Sequence, residues 1–172
     1  MRGRYALMYL LLLVVQILLG NFLNLGQLVA VCLLPLLVLS LPVKYSGTAV
    51  MLIAFASALA VDLLTHGILG LSAVALLPIA ASRRLLISAV FGSEVYSRGE
   101  DISAAKQGLG KMALALLIAT AVYFAIYIWV DAAGTRSLGV NTLAWLLSTL
   151  VSTAAQLLLT GLLSERKDGR WK

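Results

Sequence analysis

Long apolar runs, separated by short polar segments, follow one another along the whole chain. A transmembrane helix needs about 20 mainly apolar residues, and only helices and closed barrels satisfy their backbone groups in lipid. Barrel strands alternate apolar and polar residues, whereas these runs are unbroken, which predicts helices. We expect six spans, at about Tyr5–Gly20, Leu28–Val43, Gly47–Leu64, Ile68–Ala81, Leu109–Val130 and Val140–Leu163.

Basic residues fall almost entirely on one side of this six-helix arrangement. Of the 13 lysines and arginines, Arg136 alone lies on the other side. The positive-inside rule makes the basic side cytoplasmic, so we expect both termini in the cytoplasm. A five-helix count would scatter the same charges over both faces. The chain is therefore predicted to be an all-α integral membrane protein, a compact bundle that forms one transmembrane domain over residues 1–172.

The one long connection is predicted on the cytoplasmic side, at about residues 82–108. Arg83 and Arg84 begin it and precede an apolar stretch, a pattern that suits a short interfacial helix lying on anionic lipid. The alternative is that the two arginines simply end the fourth helix. Pro35 lies inside the predicted second helix, where a partner group must satisfy the carbonyl that a proline frees.

Composition supports a membrane protein and argues against other classes. The chain is 62% hydrophobic and 12% charged, whereas soluble domains are about half apolar and a quarter charged. The net charge of +6 is explained by the one-sided basic residues, so no nucleic-acid partner is expected. Cys32, the single cysteine, cannot form an internal disulfide and is interpreted as a small buried hydrophobe.

Asp62 is the only acidic residue that the pattern places inside a helix. An ionisable group costs about 2.5–3.5 kcal/mol at the centre of an inserted helix and marks a functional site by default. His66 follows four residues later, which on a continuing helix is the same face. The alternative is that Asp62 reaches the outer interface and caps neighbouring backbone. The candidate partner or pocket residues are Gln16, Asn21, Asn24, Asp62, Thr65 and His66.

The sixth predicted helix carries a polar stripe at three- and four-residue spacing. In lipid such residues usually join helices, each contact contributing roughly 0.5–2 kcal/mol, so we expect packing within the bundle rather than a substrate path. The stripe consists of Thr149, Thr153, Gln156 and Thr160.

No constellation for catalysis accompanies these features. One histidine and one cysteine cannot form a His/Cys zinc cluster. No Gly-x-Ser-x-Gly elbow accompanies His66, and no phosphate-binding glycine loop is present. We therefore expect no enzymatic activity, no metal and no cofactor.

The order of features resembles the family of the rod shape-determining protein MreD. Several features carry the resemblance, in order along the chain: Gln16 and Asn21 at the end of the first helix, Pro35 in the second, Pro42 before the third, then Ala58-Leu59-Ala60-Val61-Asp62 followed by Gly67 and Ala73, and finally Gly108 before a fifth helix that ends at Asp131. Ala58 departs from the family pattern, which usually has glycine there.

This resemblance implies a multi-pass scaffold in the bacterial cytoplasmic (inner) membrane, as part of the cell elongation machinery. It implies a single-span partner resembling MreC, and a role in connecting the MreB cytoskeleton to peptidoglycan synthesis by RodA and a penicillin-binding transpeptidase.

A more distant resemblance is to the substrate-binding subunits of energy-coupling vitamin transporters, which would place a pocket near Asn21, Asn24, Asp62 and His66. Such a pocket needs aromatic and polar residues around it, and the short predicted outer loops contain few aromatics, which favours the scaffold.

Overall fold

The computed structural model describes residues 2–22, 26, 28–65, 68–92, 94 and 108–168, with the backbone alone for 2–5 and 162–168. Within these ranges the chain is all-helical, with six helices and no strand. They are α1 (Arg2–Phe22), α2 (Leu34–Ser40), α3 (Gly47–Leu64), α4 (Leu71–Phe91), α5 (Leu109–Ala132) and α6 (Leu138–Asp168).

Four of these helices are long and apolar enough to cross a membrane: α3, α4, α5 and the Leu138–Gly161 part of α6. The apolar part of α1, Ala6–Phe22, is shorter. The chain is therefore a multi-pass membrane protein by the length and composition of its described helices. The count of six spans and the cytoplasmic position of both termini stay predictions.

Helices that follow one another in the chain also pack together. The most extensive contacts join α3 to α4, α4 to α5 and α5 to α6, and the short connections between α3 and α4 and between α5 and α6 make those neighbours antiparallel. The short helix α2 contacts α1, α3, α4 and α5, and every residue from Leu34 to Leu39 is buried. The core of the bundle is therefore built around α2.

The predicted second span, about Leu28–Val43, is wrong as a continuous helix. Residues 29–33 have no regular secondary structure, and α2 covers only Leu34–Ser40. Pro35 occupies the first turn of α2, where a missing N–H costs nothing and the fixed φ suits a helix start. The proline therefore begins a short helix instead of interrupting a long one.

The fourth predicted helix, about Ile68–Ala81, ends too early. In the structure α4 continues to Phe91, so the predicted 82–108 loop begins later, and neither a separate interfacial helix at 82–91 nor an end at the two arginines is observed. Arg83, Ile87 and Phe91 are all buried, and their four-residue spacing places them on one helix face. That face packs on the bundle and keeps the segment helical. Residues 95–107 of the predicted loop lie outside the described residues.

The other helices agree with the predictions more closely. The third predicted helix and α3 share both bounds, Gly47–Leu64. Ser46 precedes α3 and its hydroxyl accepts a hydrogen bond from the backbone N–H of Ala49, which is a normal N-cap arrangement. The end of the bundle where α3 ends and α4 begins is called the Asp62 end.

Candidate functional site

Asp62 lies in the last turn of α3 and is only 4% exposed. Its Oδ2 accepts hydrogen bonds from the backbone N–H groups of Gly70, at 2.9 Å, and Ser72, at 3.1 Å. These groups belong to the start of α4, where N–H groups lack helical partners and the helix dipole favours a negative charge. Asp62 thus caps the neighbouring helix, which is the alternative role that the sequence left open.

Asn21 and Thr65 fasten α1 to the end of α3. Asn21 Nδ2 donates to the carbonyl oxygen of Leu64 at 2.9 Å and to that of Ile17 at 3.1 Å. Thr65 Oγ1 donates to the carbonyl oxygen of Val61 at 2.6 Å. The other two candidates, Asn24 and His66, lie outside the described residues.

Gln16 is buried on α1 and reaches the non-helical segment before α2. Its Oε1 accepts a hydrogen bond from the backbone N–H of Leu33 at 2.5 Å. Non-helical backbone at membrane depth is tolerated only where it is buried in protein and its polar groups find partners. Gln16 provides one of those partners from the α1 side.

Helix α6 provides further hydrogen-bond partners for the backbone of the non-helical segment. Ser148 Oγ accepts from the Ala30 N–H at 3.0 Å. Ser152 Oγ accepts from the Cys32 N–H at 3.0 Å and donates to the Ala30 carbonyl oxygen at 3.2 Å. Gln156 Nε2 donates to the Cys32 carbonyl oxygen at 2.7 Å.

The spacing of these contacts has a geometric reason. Four residues of helix rise about 6 Å, and two residues of extended chain rise about 6.6 Å. Side chains at every fourth position of α6 therefore match the backbone groups of alternate residues in the segment, Ala30 and Cys32. The segment is held by side chains in place of the backbone ladder that a helix would supply.

The predicted stripe on α6 is correct only in part. Gln156 does join elements, because it also accepts a 3.2 Å hydrogen bond from Thr120 Oγ1 of α5. The other residues that bond the segment are Ser148 and Ser152, which are polar residues of the same helix but lie outside the predicted stripe. Thr149 and Thr153 are buried, and their hydroxyls have no hydrogen-bond partner in the described part of the chain. The hydroxyl of Thr160 donates within its own helix, to Leu157.

Arg83 secures the other end of α2. The side chain is 3% exposed, and its Nη2 donates to the carbonyl oxygens of Leu39, at 3.4 Å, and Leu41. These carbonyls end α2, where a positive charge complements the helix dipole. The sequence predicted for Arg83 either a place on an interfacial helix or the end of the fourth helix; it did not indicate this contact, because the acceptors lie more than 40 positions away.

A cavity of about 210 Å³ lies at the Asp62 end, bounded by α1, α3, α4, α5 and the non-helical segment. Three of the candidate residues line it together, Gln16, Asp62 and Thr65, whereas Asn21 lies at the same end without lining it. The sequence reading missed further lining residues, Ser72, Tyr123, Phe124 and Tyr127, and it treated Cys32 as core only. The three aromatics recur at helical spacing in an otherwise aliphatic region of α5, which was the available signal.

The aromatic side chains form a continuous wall. Tyr123 stacks on Tyr127 with ring centroids 5.6 Å apart and an interplanar angle of 19°. Phe124 meets Tyr123 edge to face at 5.3 Å. The cavity therefore combines one carboxylate, an amide, hydroxyl groups and aromatic faces. Among the described residues, no group of three or more His, Cys, Asp or Glu side chains is arranged to hold a metal ion.

Comparison with models of known protein families, with curated proteins and with solved structures finds no match for this chain.

Proposed function

We propose that this chain is a non-enzymatic scaffold of the bacterial cell elongation machinery, as its resemblance to the rod shape-determining family implies. In this role it sits in the inner membrane and binds an MreC-like single-span protein. It helps couple the MreB cytoskeleton to the peptidoglycan synthase formed by RodA and a penicillin-binding transpeptidase.

One observation carries the proposal: the candidate polar side chains that the structure describes are engaged with the chain's own backbone. Gln16 bonds Leu33, Asn21 bonds Leu64, Asp62 bonds the start of α4, and Thr65 bonds Val61. In a catalytic site, acids and bases are oriented toward a position that a substrate can occupy. Here they hold helices and segments in fixed positions, which is what a protein that presents surfaces to partners requires.

An apolar crevice of about 390 Å³ provides a place for the partner helix. It lies between α1, α3 and the turn at residues 40–45, and small residues such as Ala6, Ala56 and Ala60 line it. Small residues allow helix backbones to approach closely. In lipid the hydrophobic effect does not drive helices together, so the van der Waals packing that this close approach permits drives their association. A hydrogen bond of 2.7 Å between the Tyr9 and Ser57 hydroxyls fixes α1 against α3 here. We assign this crevice to the MreC-like span.

The alternative, a substrate-binding subunit of a vitamin-type transporter, depends on the cavity at the Asp62 end. Pockets for drug-sized ligands usually measure about 300–1,000 Å³, and this cavity measures about 210 Å³. This small volume favours the scaffold over a binding subunit for a vitamin-sized solute.

Site-specific photo-crosslinking in the source bacterium tests the proposal. A photo-reactive residue in place of Ala56, which lines the crevice, should crosslink to an MreC-like single-span protein. The same residue in place of Val122, exposed on α5, should give no such product. Failure to recover a single-span partner from the crevice position, with the chain at normal abundance, would overturn the assignment.

A further inference from the structure

We infer that the cavity at the Asp62 end binds the ammonium group of a small organic cation. The inference is independent of the proposed scaffold role, because it rests on the residues that line the cavity. Asp62 is the one charged side chain among the described residues that line the cavity, and no described lysine or arginine lies in its wall.

The carboxylate retains capacity for a ligand. Within the described part of the chain, the hydrogen bonds to Asp62 both go to Oδ2, and no described residue donates a hydrogen bond to Oδ1. A carboxylate oxygen offers about two lone-pair sites, and a charge-assisted bond to an ammonium donor is among the stronger hydrogen bonds in proteins. The group that best complements this oxygen is a cation with N–H or polarised C–H groups.

The aromatic wall points to the same class. Cations bind over the faces of tyrosine and phenylalanine within about 6 Å of the ring centroid, and ammonium recognition by aromatic side chains is the common functional use. Tyr123, Phe124 and Tyr127 line the cavity from one helix. A carboxylate and aromatic rings in the wall of one cavity are the two kinds of group that recognise an ammonium ion.

Other ligand classes fit less well. An anion would be repelled by Asp62. Calcium takes six or more oxygen ligands, and the described residues offer no cluster of acidic side chains here. The volume of about 210 Å³ corresponds to about seven water molecules at ~30 Å³ each, which matches a group the size of choline or ethanolamine.

The ammonium group has two available sources, a free amine and the headgroup of a zwitterionic lipid. Both present the same chemistry to Asp62 and the aromatic wall. The cavity lies at the end of the bundle where α3 ends and α4 begins. A free amine and a lipid headgroup therefore each need a separate measurement.

The first arm titrates the purified full-length chain in nanodiscs made of phosphatidylglycerol alone. Choline and ethanolamine are the probes, and their neutral isosteres, 3,3-dimethylbutan-1-ol and 1-propanol, are the controls. At least one cation should raise the Tm saturably, and its isostere should not. Equal effects of cation and isostere, or no effect of either cation together with a negative second arm, would overturn the inference.

Three variants test whether the cation binds beside Asp62. Asp62→Asn keeps an oxygen for the Gly70 and Ser72 N–H groups, so the fold should survive while affinity for the cation falls about tenfold or more, because the charge is gone. Tyr127→Leu should also weaken binding. Asp131→Asn is the matched control, since Asp131 pairs with Arg136 at 3.3 Å and does not line the cavity. Equal binding by Asp62→Asn and the unmodified chain would refute the site.

The second arm applies native mass spectrometry to the chain extracted from bacterial membranes. Retention of phosphatidylethanolamine by the unmodified chain and Asp131→Asn, but not by Asp62→Asn, identifies a lipid headgroup as the source. Equal retention by all three, combined with a charge-dependent titration in the first arm, identifies a free cation.

Discussion

At the scale of single residues, Asp62 shows how a costly intramembrane charge can serve structure. Its carboxylate replaces the missing helical partners of two N–H groups at the start of α4. The sequence signalled the residue through its cost and left capping open as an alternative, but it did not identify the capped groups, because Gly70 and Ser72 lie eight and ten positions later, beyond the end of α3.

Replacing Asp62 with leucine should destabilise the bundle. The N–H groups of Gly70 and Ser72 lose their acceptor, and loss of such a cap costs about 1–2 kcal/mol. Thermal unfolding in detergent should therefore show a lower Tm for Asp62→Leu, with Asp62→Asn between it and the unmodified chain. A leucine variant as stable as the unmodified chain would show that the capping bonds contribute nothing.

Gly20 allows α1 to approach Thr65 closely. A Cβ at Gly20 would lie 2.7 Å from Thr65 Cγ2, and Thr65 cannot rotate away without losing its hydrogen bond to Val61. Gly20→Ala should therefore destabilise the chain by about 1–3 kcal/mol, as overpacking does. Gly161→Ala is the control, because nothing lies within 4 Å of its added Cβ. The same change in Tm for both variants would contradict the close approach.

At the scale of elements, the sequence pattern wrongly predicted a helix for residues 29–33, and the structure shows the reason. An apolar run looks the same whether it is helical or extended inside a protein. The groups that decide between the two are the side chains of Ser148, Ser152 and Gln156, more than 100 positions later. The local pattern of apolar and polar residues does not indicate such distant hydrogen bonds.

The same reasoning explains which other elements were predictable. The third helix was predicted with its observed bounds because Ser46 and the apolar run mark it locally. The end of α4 was missed because burial of Arg83 depends on the carbonyls that end α2. Tyr123 and Tyr127 were missed as site residues, because aromatics in an apolar helix resemble ordinary core until the cavity beside them is seen.

Ser152→Ala should loosen the segment. The Ala30 carbonyl and the Cys32 N–H lose their partner, and we expect opening to become about tenfold more frequent, equivalent to about 1.4 kcal/mol. Cys32 is the only cysteine and is buried, so its rate of maleimide labelling reports the opening directly.

Thr149→Val supplies the matched control for that measurement. It removes a buried hydroxyl that has no partner in the described part of the chain, and such a change is close to neutral. Its labelling rate should equal that of the unmodified protein. Equal rates for Ser152→Ala and Thr149→Val would mean that α6 does not hold the segment.

At the scale of the whole molecule, the one-sided basic residues and the number of spans together define the predicted membrane topology. α2 has seven residues, about 10 Å of helix, and the non-helical residues 29–33 add at most about 17 Å. A crossing of the ~30 Å hydrocarbon core by this broken second segment therefore stays a prediction, as does the count of six passes.

Reporter fusions test this topology. A reporter after Lys172 and another within residues 92–108 should both report the cytoplasm, because the basic residues flank these positions. A reporter at Gly134, between α5 and α6, should report the outside. A periplasmic signal from either of the first two sites would exclude six passes with cytoplasmic termini.

The central claim is that the bundle acts in cell elongation by presenting the crevice between α1 and α3 to a partner. Depletion of the chain in its source cells, followed by microscopy, tests this most directly. Cells should become round, and a plasmid copy of the unmodified chain should restore rods. A copy with Ala56→Trp, which fills the crevice at an exposed position, should be present at normal abundance and leave the cells round. Cells that keep their rod shape after the chain is gone would contradict the account.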